Sequence, residues 1–354
     1  MTLPFMSGNC KPVQSQGKGL WQSPLAFSIS ALFAGLLLAL IPASSVSGQS
    51  TKTYKIGALT KSLANPYFLL MKQGYEYAQK KLGVEVVFGS TPTEEADVQQ
   101  LNILQSWLAE GSLEGYVVTP FRATSLNSAL TRVSRKNLPI INIDELIPED
   151  AAKADGIKIV ARIASNNVEA GKLDAQLVLS SLPKGSDVAI IEGDPGTTSS
   201  MERVTGFTSA AKEGGLNIVA SQPANWNRKK AGELATNMLE GDSNLKAIFV
   251  ANDDMALGVV RVLQATGATG KVIVVSVDGT PDAIDALKQG LLSGTVAQYP
   301  DAMAYMAIET LVKKLNGETV PEKIYSPIKL ITKDNVSDAG KYYKDELDLS
   351  SNRQ

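Results

Sequence analysis

Histidine is absent from the chain, and cysteine occurs once, at Cys10. Without an imidazole there is no histidine general base, no Ser-His-Asp triad and no histidine-bound metal. One thiol cannot build a multi-cysteine metal site. Carboxylate, lysine and tyrosine chemistry stay open. A basic block is also missing: 34 Lys and Arg face 36 Asp and Glu, for a formal charge of -2. That balance gives a nucleic-acid partner no cationic patch to bind. Phosphate-cradling motifs are lacking too. The loop Gly193-Asp194-Pro195-Gly196 does not have the G-x-G-x-x-G spacing, and Gly270-Lys271 lacks the earlier glycine and following hydroxyl of a P-loop. Asp253-Asp254 has no supporting metal-ligand spacing and reads as a helix cap. No cofactor and no metal are expected.

What is present is an ordinary soluble composition, 44% hydrophobic and 20% charged, over 354 residues, enough for about two domains. The first 48 residues differ from the rest. They carry Lys11 and Lys18 without an acid, then an apolar run from Ala26 to Ala43, then the small residues Ser44 to Gly48. That order predicts a secretory signal peptide over 1–48, cleaved after Gly48. The run is close to the length of a short membrane span, so an uncleaved anchor is the alternative. Cys10 precedes the run, where a lipoprotein cysteine would follow it. Cleavage would leave a chain without disulfides, stabilised by its packed core alone.

From Thr53 the pattern alternates. Strands are expected at Tyr54–Leu59, Val84–Phe88, Tyr116–Thr119, Pro139–Ile143 and Ile159–Ile163. Helices are expected at Leu69–Leu82, Glu95–Glu110, Ser125–Lys136 and Asn166–Ser181, with a polar loop over Leu146–Lys158. The same rhythm repeats: strands Val188–Glu192, Asn217–Ser221, Ala247–Val250, Val272–Val277 and Gly294–Gln298, and helices Ser199–Glu213, Lys229–Glu240, Met255–Gly267, Pro281–Gln289 and Asp301–Leu315. A last extended segment covers Ile324–Leu330. Such alternation implies an α/β protein with parallel, doubly wound sheets in two similar halves.

Polar and aromatic residues gather where strands hand over to helices, the edge at which open parallel sheets bind ligands. Lys61, Asn65, Tyr67 and Phe68 follow the first strand, and Asp144 and Glu145 the fourth. In the second half come Arg203, then Trp226 between Asn225 and Asn227, then Asn252, Asp278 and Gln298. Each has a plainer reading. Tyr67 and Phe68 fit first-turn core residues, Asp278-Gly279-Thr280-Pro281 a turn and cap, Asn252 a cap, and Arg203 a surface ion pair. Trp226 lies off any apolar periodicity and favours a ligand platform, whereas Trp107 lies on an apolar helix face and reads as core. Together the set suits a neutral, hydroxyl-rich ligand, because each hydroxyl both donates and accepts.

Seven segments in this order carry a resemblance: N-P-Y-F at 65–68, I-N-I-D-E at 141–145, M-E-R-V-T-G-F at 201–207, S-Q-P-A-N-W-N-R at 221–228, A-N-D-D-M-A-L-G at 251–258, V-D-G-T-P-D at 277–282 and V-A-Q-Y-P at 296–300. Over Thr53–Thr332 the chain resembles the type I periplasmic sugar-binding proteins of the ribose/galactose/allose group. The resemblance implies two Rossmann-like lobes joined by a three-segment hinge. The lobes would be 53–161 plus 299–324 and 162–298 plus 325–340, with a polar tail at 341–354. It implies sugar contacts from Lys61, Asn65, Tyr67, Phe68, Asp144 and Glu145 in the first lobe. From the second it implies Arg203, Trp226, Asn252, Asp278 and Gln298. The chain is similar to the allose type at Lys61, Asp144-Glu145 and Trp226, and departs from it at Tyr67-Phe68, where that type prefers Phe-Trp.

The implied role is a monomeric periplasmic solute-binding protein of an ABC importer, closing by hinge bending over a monosaccharide or polyol and presenting both lobes to the permease. Ribose or another sugar is the alternative ligand. Delivery to a chemoreceptor or sensor kinase is compatible with the same fold. A repressor effector domain shares the architecture, but would need a helix-turn-helix where the apolar export segment stands. A secreted sugar-modifying enzyme would use Asp144 and Glu145 as acid and base, yet neighbours on one strand end point in different directions.

Overall fold

The computed structural model describes residues 53–93 and 96–339. The expected signal peptide, Cys10, Glu95 at the expected start of the second helix, and the expected tail at 341–354 lie outside the described residues. The chain begins with β1 (Lys55–Ser62), α1 (Pro66–Leu82), β2 (Glu85–Thr91), α2 (Asp97–Glu110) and β3 (Gly115–Val118). It continues through α3 (Asn127–Arg135), β4 (Ile140–Ile143), α4 (Glu149–Ala154) and β5 (Ile159–Ser165). The second half runs α5 (Asn167–Ser181), β6 (Asp187–Glu192), α6 (Thr198–Gly214), β7 (Asn217–Pro223), α7 (Arg228–Gly241), β8 (Ala247–Val250), α8 (Asp253–Thr266) and β9 (Ile273–Asp278). Then follow α9 (Pro281–Lys288), β10 (Gly294–Gln298), α10 (Pro300–Leu315), β11 (Lys323–Ser326), β12 (Ile328–Thr332) and a 3-10 turn at Val336–Asp338.

Two sheets result. The first has the order β11-β5-β4-β3-β1-β2, all parallel. The second has the order β12-β10-β9-β8-β6-β7, parallel except for β12, which runs antiparallel to β10. Helices cover both faces of each, so central strands such as β3 and β8 are buried along their whole length. The apolar core accordingly divides into a cluster on either face of each sheet.

The chain passes between the sheets three times. After β5, α5 packs on β9 and β10; after β10, α10 returns to β3, β4 and β5. The third passage is Pro327, between β11 in the first sheet and β12 in the second. The expected single segment Ile324–Leu330 is therefore two strands, split where proline offers no N–H to a ladder. The first passage follows Ser165, because β5 keeps its pairing with β11 to that residue. The expected loop Leu146–Lys158 holds α4, whose first turn carries Glu149 and Asp150, favourable beside a helix N-terminus.

Two local differences move site residues. β1 extends to Ser62, which makes Lys61 a strand residue instead of a turn residue. α1 starts at Pro66, with Asn65 as its cap, so Tyr67 and Phe68 occupy its first turn. Helices α5 and α6 approach closely through glycine: a Cβ on Gly171 would lie 2.0 Å from the Arg203 carbonyl oxygen, and one on Gly206 2.0 Å from that of Val168.

Candidate functional site

In the first lobe the cap comes first. Asn65 Oδ1 accepts from the Tyr67 N–H at 3.0 Å, fixing the turn that carries both aromatics. Their rings meet edge to face, 5.1 Å between centroids. The Tyr67 hydroxyl donates to Asp144 Oδ1 at 2.9 Å, and burial beside that carboxylate pushes the phenol well above its ordinary range. Asp144 reaches this position from a left-handed backbone, φ 62°. Lys61 is buried, its ammonium 5.8 Å from the Phe68 ring centroid and 3.8 Å from Glu145 Oε2.

Two buried amides hold these strand ends. Asn142 donates to the carbonyls of Val118 and Glu145 and accepts from the Ile147 N–H, clamping the loop after β4. Gln100 donates to the carbonyls of Thr60 and Thr119 and accepts from the Phe121 N–H, tying β1 to β3. The sequence reading missed both. Their signal is an amide inside an otherwise apolar strand or helix face, where it must find buried partners.

In the second lobe Arg203, on α6, donates from Nε to Asn167 Oδ1 at 2.9 Å. Its Nη1 donates to the Ala251 carbonyl at 2.7 Å and to Asp278 Oδ1 at 3.4 Å. Gln298 Nε2 donates to the same Asp278 oxygen at 2.7 Å. Burial nevertheless outweighs Arg203 and pushes the Asp278 carboxyl up to about 8, with Asp253 adding to the rise. Asn252 caps α8 by accepting from the Met255 N–H at 3.0 Å, which leaves its amide end for the cavity. Asp253 is fully buried and accepts from Ser276, Thr295 and both the N–H and hydroxyl of Thr280. It pins α8 to β9, β10 and the head of α9, so the expected cap at Asp253-Asp254 is instead Asn252, and Asp254 pairs with Arg228. Among the described residues no group of three or more such ligands has metal-binding geometry.

Trp226 stands in the loop after β7 with φ 60°, directly after Asn225 at φ 55°. Its ring lies on Gly193, where a Cβ would come within 2.3 Å of the ring, and 5.8 Å from the Arg203 guanidinium carbon. The buried indole Nε1–H meets no protein acceptor.

These groups converge on one small cavity. Lys61, Asn65, Tyr67, Phe68 and Asp144 line it from the first lobe. Arg203, Trp226, Asn252, Asp278 and Gln298 line it from the second, joined by Ser199, which the sequence reading did not single out. Glu145 is the exception. It is completely buried and turns away from the cavity to the head of α6, where it accepts from the Thr198 N–H, the Thr198 hydroxyl and the Ser199 hydroxyl at 2.5–2.8 Å. Burial raises its carboxyl, opposed by Lys61 and those donors. The arrangement offers flat aromatic faces, cationic and amide donors, and carboxylate acceptors in one small space, which is what a compact polyhydroxylated ring requires.

Comparison with known proteins gives a consistent result. Residues 56–319 match the family model described as periplasmic binding protein domain. The chain is 35% identical over 292 residues to the D-allose-binding periplasmic protein of Escherichia coli (strain K12), covering 82% of this chain and 92% of that protein. It is 32% identical over 304 residues to the ribose import binding protein RbsB of Haemophilus influenzae, covering 86% and 99%. Among solved structures it is similar to an ABC transporter periplasmic solute binding protein from Actinobacillus succinogenes 130z with bound D-allose. That match has a TM-score of 0.77 at 31% identity and covers 81% of this chain and all of the other.

Proposed function

This chain belongs to the periplasmic binding protein family, and from that premise we propose that it captures a monosaccharide between its lobes and delivers it to an ABC importer. It is a solute-binding protein and not an enzyme, like the relatives it matches. The periplasm is its place of action, reached through the export signal at residues 1–48. The observation that carries the reading is the cavity itself: Phe68 on one lobe and Trp226 on the other, with Lys61, Asp144, Arg203, Asn252, Asp278 and Gln298 between them. The two rings would cover the faces of a pyranose while the polar groups read its hydroxyls. Closure follows by bending at the three passages near Ser165, Tyr299 and Pro327.

The sugar we favour is an allose-like aldohexose. Lys61, the Asp144-Glu145 pair and Trp226 support it, as does the identity to a D-allose-binding relative. Tyr67-Phe68 is the point at which ribose or another polyol keeps a claim. Calorimetric titration of residues 49–354 against aldoses, ketoses and polyols tests this. D-allose should bind more tightly than D-ribose. Absence of binding to every sugar, or equal binding of amino acids, overturns the monosaccharide reading, and tighter binding of ribose overturns the choice of hexose.

A further inference from the structure

Glu145 bridges the lobes. Its backbone follows β4 in the first sheet, while all three groups that donate to its carboxylate head α6, which packs on the second sheet. The Thr198 hydroxyl also reaches the Leu146 carbonyl at 3.3 Å. On the same rim, Arg122 of the first lobe pairs with Asp194 of the second at 2.9 Å, and the Ala123 N–H donates to the Gly196 carbonyl. These contacts exist only while the lobes are together. The carboxylate they hold is also the counter-ion of Lys61, which lines the cavity.

We propose that Glu145 is a positioning residue that locks the closed state, and does not itself touch the sugar. Before closure its carboxylate is exposed at the cleft edge and shared by solvent and Lys61. When α6 arrives, its first N–H and two hydroxyls satisfy the carboxylate, as a helix N-terminus does for an anion. Lys61 is then held beside Phe68, facing the bound ring. The sugar cannot leave until this cluster comes apart, so the lock acts on release and leaves capture alone. This inference rests on the sugar-binding reading above.

Stopped-flow binding of D-allose, with wild type, Glu145→Gln and Thr198→Val compared, tests it. The dissociation rate should rise about tenfold or more in Glu145→Gln and about threefold in Thr198→Val, with association changed less than about twofold. A residue serving fold stability alone would lower the melting temperature without producing this split. Unchanged dissociation in both variants, or equal changes in both rates, overturns the lock. Should Glu145→Gln fail to fold, Thr198→Val carries the test by itself. If wild type binds no sugar, the sugar reading fails while the lock remains testable through spin labels at the exposed Val98 and Val219, one on each lobe. A short-distance population in ligand-free wild type that Glu145→Gln removes supports the lock, and identical distance distributions in the two proteins overturn it.

Discussion

Asp144, Asn225, Trp226 and Asp278 all hold a positive φ, of 62°, 55°, 60° and 138°. Such backbone costs a non-glycine residue about 1–3 kcal/mol and persists where surrounding structure compels it. For Asp144, Trp226 and Asp278 that structure is the cavity wall. Trp226 is bent inward onto Gly193, with its Nε1–H still to be satisfied. Replacing Trp226 with Ala should weaken sugar binding by about 2–4 kcal/mol, the range of a buried aromatic anchor; unchanged affinity in a calorimetric titration would remove the platform role. Gly193→Ala should push the same ring into the cavity, lowering affinity while circular dichroism shows an intact fold. Asp278 makes a pH prediction. Its carboxyl is raised from 3.8 to about 8 in the folded protein. Between those values the folded protein holds a proton that the unfolded chain releases. Its stabilising contribution is therefore complete below about pH 4 and lost as pH rises through about 8. Urea unfolding at about pH 5 and about pH 9 should show a smaller loss of stability in Asp278→Asn than in wild type. Equal losses would assign the slope to Asp174 and Asp253, which burial also raises.

Helices set where these residues stand. α5 and α6 touch through Gly171 and Gly206, and the backbone carbonyl nearest Gly171 belongs to Arg203. A methyl group at Gly171 therefore meets the very residue that pairs with Asp278. Gly171→Ala should cost about 1–3 kcal/mol or more through overpacking, read as a lower urea midpoint. It should also weaken sugar binding, because α6 can relieve the clash only by shifting Arg203. A variant with normal midpoint and affinity would show that the helices separate freely. Element boundaries were legible where local chemistry sets them. β8 and β10 have the expected limits, and Gly83 and Gly111 end their helices in left-handed caps. Four starts were read late where a polar cap precedes the apolar face. Pro66, Thr198, Arg228 and Asp253 all open helices ahead of the first residue that periodicity could register.

At the scale of the whole molecule, function depends on two lobes whose apolar cores are complete in themselves, with polar groups left for the space between them. A solute that occupies this space binds the folded protein alone and stabilises it by mass action. A sugar at a hundred times its dissociation constant should add roughly 2.7 kcal/mol. Calorimetric melting with and without the preferred sugar measures this. Closure adds a second readout, a fall in radius of gyration by solution scattering on adding the sugar. A higher melting temperature without compaction would mean binding to an already closed protein.

Composition, periodicity and cap chemistry by themselves determined the alternation of elements and its two similar halves, and marked most of the strand-end residues that line the cavity. These are local signals, carried by neighbours a few positions apart. Only the tertiary structure decided which way each strand-end side chain turns. Asp144 and Glu145 are adjacent, yet one faces Tyr67 across 77 residues and the other Ser199 across 54. Their directions come from the left-handed backbone at Asp144 and from donors on a distant helix. The same holds for Ile324–Leu330, which reads as one extended run because both its strands are apolar. Pro327 marks the break, but which sheet each part joins depends on which strand edges are free in the folded lobes, and the segment itself does not carry that information.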